Sequence, residues 1–367
     1  MRLPLFLLLV LFYLSNSCSA QVSGKNYVSY HKAIIAAETA IFLNDDALKG
    51  LNIFKSTFGS YDFCFVDDCL EAFQLALLFN KEDYALFFIK RALDNGFERH
   101  LLDVLPHDCP CPGDHWKKLV TIHKPFIEKH RAELEKYASG SYPTYLKRID
   151  KKLLSLVIRR HVREQLFKNF HSGLSLRMAS GREQEMKFQD VEYDAISNDN
   201  LRFIDSLAKE KIFLGEQNLG IYTDKLARSL PIQSMENCLA QMLRFYGLPE
   251  NTYVPINTER DYYGLNPVYN MLFHNIKSYN VLHPYKAEAI MKGYLHPREY
   301  ASLNYNVHEK LDKQLYLQPC NAMADVTAID KAREQLLLPP YNVDFKKQQF
   351  AHQHSLKLFF GFRGYER

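Results

Sequence analysis

"DDALKGLNIFKSTFG", Asp45 to Gly59, and "EDYALFFIKRALDNGF", Glu82 to Phe97, decide the fold of this chain. Aligning Ala47 with Ala85 sets Phe54 on Ala92, a shared offset of 38 residues. In each copy the second position lies seven residues after the first, two turns along one helical face. Each copy follows another segment with helical spacing. "YHKAIIAAETAIFLN" carries Ile34, Ala37 and Ile41, and "VDDCLEAFQLALLFN" carries Leu70, Phe73 and Leu77. Short polar turns at 44–46 and 80–83 follow them.

Helix, short turn, helix, with alanines that let the pair approach closely, fits a tetratricopeptide-type hairpin repeat. The offset exceeds the ~34 residues usual for that class. An irregular helical bundle obeys the same packing rules and is the alternative. "DHWKKLVTIHKPFIEKHRAELEKYA" extends the helical pattern, with Asp114 as candidate N-cap and Pro125 as a kink or break. Gly140 and Pro143 punctuate the chain before "TYLKRIDKKLLSLVIRRHVREQLFKNF", whose stripe is Leu146, Ile149, Leu153, Leu156 and Val157. From His171 to Phe188 the pattern breaks, as in a linker. Helical patterns resume in "NDNLRFIDSLAKEKIF", capped at Asn198 or Asp199, and recur through "ADVTAIDKAREQLLL". No long alternating strand pattern occurs, so the expected class is mainly α: tetratricopeptide-like hairpins over 21–140, a connecting helix and linker over 141–188, a second helical domain over 189–345 and a tail over 346–367.

Residues 1–20 read as a secretory signal peptide. Arg2 precedes an apolar run from Leu3 to Leu14, and Cys18-Ser19-Ala20 supplies small residues before a cut after Ala20. The run falls short of the ~20 residues of a membrane span. Cys18 opens a second route, lipid attachment, although Ser15 stands where a lipoprotein signal usually has Leu. The expected location is therefore periplasmic or extracellular, with membrane contact only if Cys18 is lipidated. The chain from Gln21 onward holds 45 basic and 42 acidic residues, a balance that argues against a nucleic-acid or membrane-surface role.

Six cysteines remain after the cut: Cys64, Cys69, Cys109, Cys111, Cys238 and Cys320. "HDCPCPGDHW", His107 to Trp116, holds two of them between histidines. C-x-C is neither the usual zinc knuckle nor the C-x-x-C redox pair, and a bond between Cys109 and Cys111 closes a strained ring. Export favours disulfides. The expected staple joins Cys64 and Cys69 to Cys109 and Cys111, closing loops of roughly 40–47 residues. In the chain-entropy model each such bond contributes about 3–4 kcal/mol.

Several sparse motifs resemble an uncharacterised family of exported bacterial proteins, in which tetratricopeptide-like helices precede a helical C-terminal domain of unknown function. The N-terminal likeness lies in "AAETAIFLNDDALKGLNIFKSTFG" and "ALLFNKEDYALFFIKRALDNGF". The C-terminal one lies in Glu164-Gln165 with Lys168, Asp199-Asn200, "MLFHNI" with His274, Gly293 with Pro297, the run from Ala301 to Asn304, and Gln314-Leu315-Tyr316. Glu164, Ile276 and Asn304 stand where the family has Asp, and Leu317-Gln318 where it has Gly-Thr. The resemblance implies no catalytic residue.

His274 is the best single candidate for a functional side chain, with Glu164 as a conceivable partner and Gln165 and Tyr316 as further binding candidates. A core histidine satisfied by backbone is the plainer reading of His274. His283-Pro284 and His296-Pro297 read as helix-opening pairs, and no H-E-x-x-H, phosphate loop or nucleophile elbow occurs. No metal and no cofactor are expected. These features point to a non-enzymatic scaffold that binds a protein or peptide in the cell envelope or outside. The alternative is an enzyme or small-ligand binder with a site near His274.

Overall fold

A computed structural model describes residues 26–98, 115–175, 183–221, 281–304, 326–356 and 358–360, with single positions at 226, 240 and 244. Side chains of 115–122, 165–192 and 302–304 lie outside that description. Among the described residues the chain is α-helical, with no strand. Two hairpins open it: α1 (Tyr27–Phe42) with α2 (Ala47–Ser60), and α3 (Val66–Leu78) with α4 (Glu82–Asp94). The helices begin where polar side chains can satisfy free backbone N–H groups. Asn26 accepts from the Val28 N–H at 2.8 Å and Asp46 from the Lys49 N–H at 3.0 Å. The turns reverse through Asp45 and Asn80, both at positive φ, a conformation that Asn and Asp tolerate better than most residues.

Helix α3 is the centre of the N-terminal core. Every residue from Asp68 to Ala76 is buried, which places it as an enclosed helix rather than a surface one. Phe54, Phe58 and Phe88 meet at tilted and edge-on angles, with centroids 5.7–6.3 Å apart, in the geometry favoured by the ring quadrupole. The same core takes in Val343, Ala351, Leu356 and Leu358 from the far end of the chain.

Helix α5 (His115–Arg148) runs through Pro125, Gly140 and Pro143, contrary to the breaks expected there. Each internal proline removes one helical hydrogen bond at a cost of about 3 kcal/mol. Burial of Phe126, Ile127, Leu134 and Tyr145 against the rest of the protein offsets it. Helix α6 (Lys151–Ser175) extends past His171 into the stretch read as linker, and α7 (Glu183–Lys209) holds Asn198 and Asp199 in its interior rather than at a cap. Of the stripe read on α6, Ile149, Leu153 and Val157 are buried, whereas Leu156 is 41% exposed. Ile149, Leu153 and Val157, with Leu201 and Ile204 of α7, belong to a second core.

Short helices follow: α8 (Glu216–Leu219), α9 (Lys286–Met291) after a 3-10 turn at His283–Tyr285, α10 (Pro297–Asn304), α11 (Val326–Gln335) and α12 (Tyr341–His354). Helix α12 runs across the junction of 345 and 346, where the second domain was expected to end and the tail to begin, and packs on α1. Its Lys347 is fully buried.

Tyr145 links the hairpins to the second half. Gly96 (φ +96°) and Gly220 (φ +71°) both abut its ring, and its hydroxyl accepts the Ile221 N–H at 3.2 Å. A Cβ on Gly220 would lie 2.0 Å from the Tyr145 hydroxyl, in a backbone region that L side chains avoid. Gly220→Ala is expected to cost about 1–3 kcal/mol by thermal unfolding. Gly59→Ala, in a helix with open space around the new methyl, serves as the neutral-to-stabilising control. Equal melting temperatures for the two variants would contradict this packing.

Candidate functional site

The start of α3 gathers an unusual number of buried polar side chains. Asp68 is 3% exposed and accepts from the Tyr30 hydroxyl at 2.9 Å. His296, just before α10, lies 3.4 Å from the other Asp68 oxygen. Its Nδ1 accepts the Arg298 N–H at 3.1 Å, so a neutral ring carries its proton on Nε2, facing Asp68. His296 thus opens a helix, as the His-Pro pairing suggested, and its Nε2 is buried without a hydrogen-bond partner among the described residues. His31 stacks edge-on against His296 at 4.9 Å. Burial, then the neighbouring His296, push the His31 imidazole well below its usual range, so it stays neutral. Its Nε2 is buried without a hydrogen-bond partner among the described residues.

Beside them lie three carboxylates. Glu216 accepts the Val66 N–H at 2.9 Å, at the N-terminus of α3. Burial and the nearby Asp67 push Glu216 well above the usual carboxylate range. Glu299 is raised likewise, by burial and then by Asp67 and Glu216. Burial and mutual repulsion thus both favour the neutral form of these acids. Among the described residues, no group of three His, Cys, Asp or Glu side chains is arranged to hold a metal ion.

Two turns further along α1 and one turn further along α3, the polar core becomes ionic. Arg298 forks between Glu38, at 2.8 and 2.9 Å, and Asp344, at 2.8 and 3.0 Å. Arg333 binds Asp344 and the Pro339 carbonyl. Lys347 donates to Glu38 at 2.5 Å and to the Phe359 carbonyl at 2.7 Å, and lies 2.6 Å from Glu71. Glu71 also accepts the Phe359 N–H at 2.8 Å. Three cations thus face three carboxylates, contributed by α1, α3, α10, α11 and α12. Burial alone would raise the Asp344 carboxyl, but Arg298 and Arg333 overcome it and hold it at about 2. At Glu71 burial wins over Lys347, and the carboxyl is pushed up to about 8. Several hydrogen bonds on each group suit a rigid strut that joins the first hairpin to the C-terminal helices.

The sequence candidates fall elsewhere. Glu164 is fully buried in α6, one turn beyond the buried His161 and near Tyr193 of α7. Asp199 and Asn200 of α7 face Arg160 of α6 at 2.7 and 3.4 Å, so two of the resemblance motifs share one helical hairpin. The Gln165 side chain, His274 and Tyr316 lie outside the described residues. Cys64 and Cys69 are buried free thiols, while Cys18, Cys109, Cys111, Cys238 and Cys320 lie outside the described residues.

Sequence reading passed over Glu38, Glu71, Arg298, Asp344 and Lys347. Two of them carried a signal. Glu38 stands beside Ala37 on the apolar face of α1, and Glu71 interrupts the run "CLEAFQLALL". A charge inside an apolar run must find a buried partner.

The outer face of the first hairpin is different in kind. An open groove of about 630 Å³ runs between α1 and α2, lined by Ala33, Leu48, Lys49, Asn52, Ile53 and Ser56 among others. Leu48 is half exposed. No helix among the described residues is long and apolar enough to cross a membrane. Comparison with family models, curated proteins and solved structures returned no match to this chain.

Proposed function

We propose that this chain is an exported helical-hairpin protein that binds a protein or peptide. The observation in favour is the division of chemistry between its two sides. Ionic groups are spent inside, on joining the hairpins to the C-terminal helices. The α1–α2 face keeps an open, mixed apolar and polar groove that an extended segment can occupy. Most aromatic residues of the hairpins are core residues and none lines this groove, although the partly buried Tyr84 donates to its Asn52 at 2.6 Å. Export rests on the N-terminal apolar run and the small residues before Gln21.

Affinity capture from the cell envelope with the chain from Gln21 onward, followed by mass spectrometry, identifies the partner. Leu48→Asp is expected to weaken that partner by about tenfold or more, roughly 1.4 kcal/mol. Because Leu48 is half exposed, the fold itself should change by no more than about 0.5 kcal/mol. Undiminished binding by a folded Leu48→Asp variant would remove the groove from the proposal.

The second reading is an enzyme or small-ligand binder, with a site in the C-terminal half near His274. His274 lies outside the described residues, and what favours a ligand is the set of buried polar atoms at the start of α3, where His31 Nε2 and Glu299 Oε2 lack hydrogen-bond partners among the described residues. Buried polar groups without partners are uncommon and often mark a bound water, ion or ligand.

A further inference from the structure

The loop between the hairpins brings Cys64 and Cys69 together. Cys64 precedes the first residues of α3, and the Cys69 N–H makes an early helical bond, to the Phe65 carbonyl at 3.2 Å. Both sulfurs are fully buried, five residues apart along the chain and near enough that each thiol shifts the other's ionisation, while the Cys64 thiol also points at the Phe58 carbonyl at 3.7 Å. Arg91 reaches from α4 to hold the loop. Its guanidinium donates to the Tyr61 carbonyl at 2.6 Å, the Asp62 carbonyl at 3.3 Å and the Cys64 sulfur at 3.4 Å. The Cys64 N–H meets the Asn95 side chain at 3.4 Å. Among the described residues each thiol therefore has the other as its near sulfur neighbour, on a backbone pinned from α4.

We propose that Cys64 and Cys69 form a disulfide with each other, across a ring of six residues, rather than with Cys109 and Cys111. The bond fastens the inter-hairpin loop to the first turn of α3, beside the polar core.

The chemistry is thiol–disulfide exchange with a small-molecule disulfide, such as glutathione disulfide, as oxidant. The Cys64 thiolate attacks one oxidant sulfur, forming a mixed disulfide and releasing one glutathione thiolate. Cys69 loses its proton to solvent and attacks the Cys64 sulfur. The new S–S bond expels the second glutathione thiolate. Two thiols become one disulfide, and the oxidant, having taken two electrons, leaves as two glutathione thiols after protonation. The roles follow from the surroundings. Burial would raise the Cys64 thiol, but the Cys69 hydrogen bond and Arg91 bring it below its usual range. Burial and the neighbouring Cys64 push Cys69 well above its own. Cys64 is thus the first nucleophile. Because the folded core encloses both sulfurs, the exchange occurs late in folding, once Arg91 stands beside Cys64 but while the oxidant still reaches it.

Trypsin separates the possibilities. The peptide 56–81 carries Cys64 and Cys69 with no internal Lys or Arg, and 100–117 carries Cys109 and Cys111. The full chain is refolded with glutathione disulfide, alkylated with N-ethylmaleimide in denaturant, and digested without reductant. The expected product is peptide 56–81 alone, two hydrogens lighter than its dithiol form and unalkylated. Peptide 56–81 linked to 100–117, or carrying two maleimides, would overturn the proposal. Supplying the oxidant makes the result independent of where the chain resides.

Discussion

Arg298→Met is expected to lower unfolding stability by about 3–5 kcal/mol. Methionine fills much of the volume and removes only the charge. Glu38 and Asp344 then face each other across a core in which each is at most 3% exposed by side chain, with one fewer cation between them. The cost is that of uncompensated burial, which exceeds the net worth of an intact pair. Arg298→Lys should lie between wild type and Met, since lysine restores the charge but not the fork that reaches two carboxylates. The check is urea unfolding of all three proteins, with a shifted midpoint at constant slope. A loss for Met below about 1 kcal/mol would place water, not protein, around the guanidinium.

The buried carboxylates withdraw stability on both sides of pH 4–5, while His31 and His123, held neutral by burial, withdraw it as pH falls below about 6.5. On the alkaline side the cause is Glu71, raised from 4.5 to about 8. In the unfolded chain it ionises above 4.5, while in the fold it stays protonated until about 8. Folding then binds a proton, so stability is full below 4.5 and is lost as pH rises toward 8. Glu216 and Glu299 act in the same direction. The loss over this limb is on the order of 3–5 kcal/mol. On the acid side the cause is Asp344, lowered from 3.8 to about 2. Its contribution is present above 3.8 and disappears as pH falls through about 2. Glu71→Gln should flatten the alkaline limb and leave the acid limb in place. Denaturant midpoints from pH 3 to 9 measure both, and an unchanged alkaline slope in Glu71→Gln would assign that limb to other groups.

Much of the architecture could be read before any coordinates. The 38-residue offset in the first hundred residues corresponds to two stacked hairpins, and the Tyr30–Asp68 hydrogen bond spans that same interval. The breaks expected at Pro125, Gly140 and Pro143 did not materialise, because local propensity is a weak term beside the burial of neighbouring side chains. The helix at 341–354 was largely missed for a related reason. "YNVDFKKQQFAHQH" is polar, and the charges that look solvated in it include Lys347 and Asp344, both enclosed.

By itself the sequence determined the helical class, the paired-helix repeat and the candidate cysteines. Those readings depend on spacings of a few residues, which local backbone geometry converts directly into faces and turns. Only the tertiary structure decided that Glu38, Arg298 and Lys347 share one buried cluster, and that Cys64 has Cys69 as its sulfur neighbour. Glu38 and Lys347 are 309 residues apart. No periodicity records such a meeting, since it arises when one helix packs on another and two charges, cut off from water, must satisfy each other.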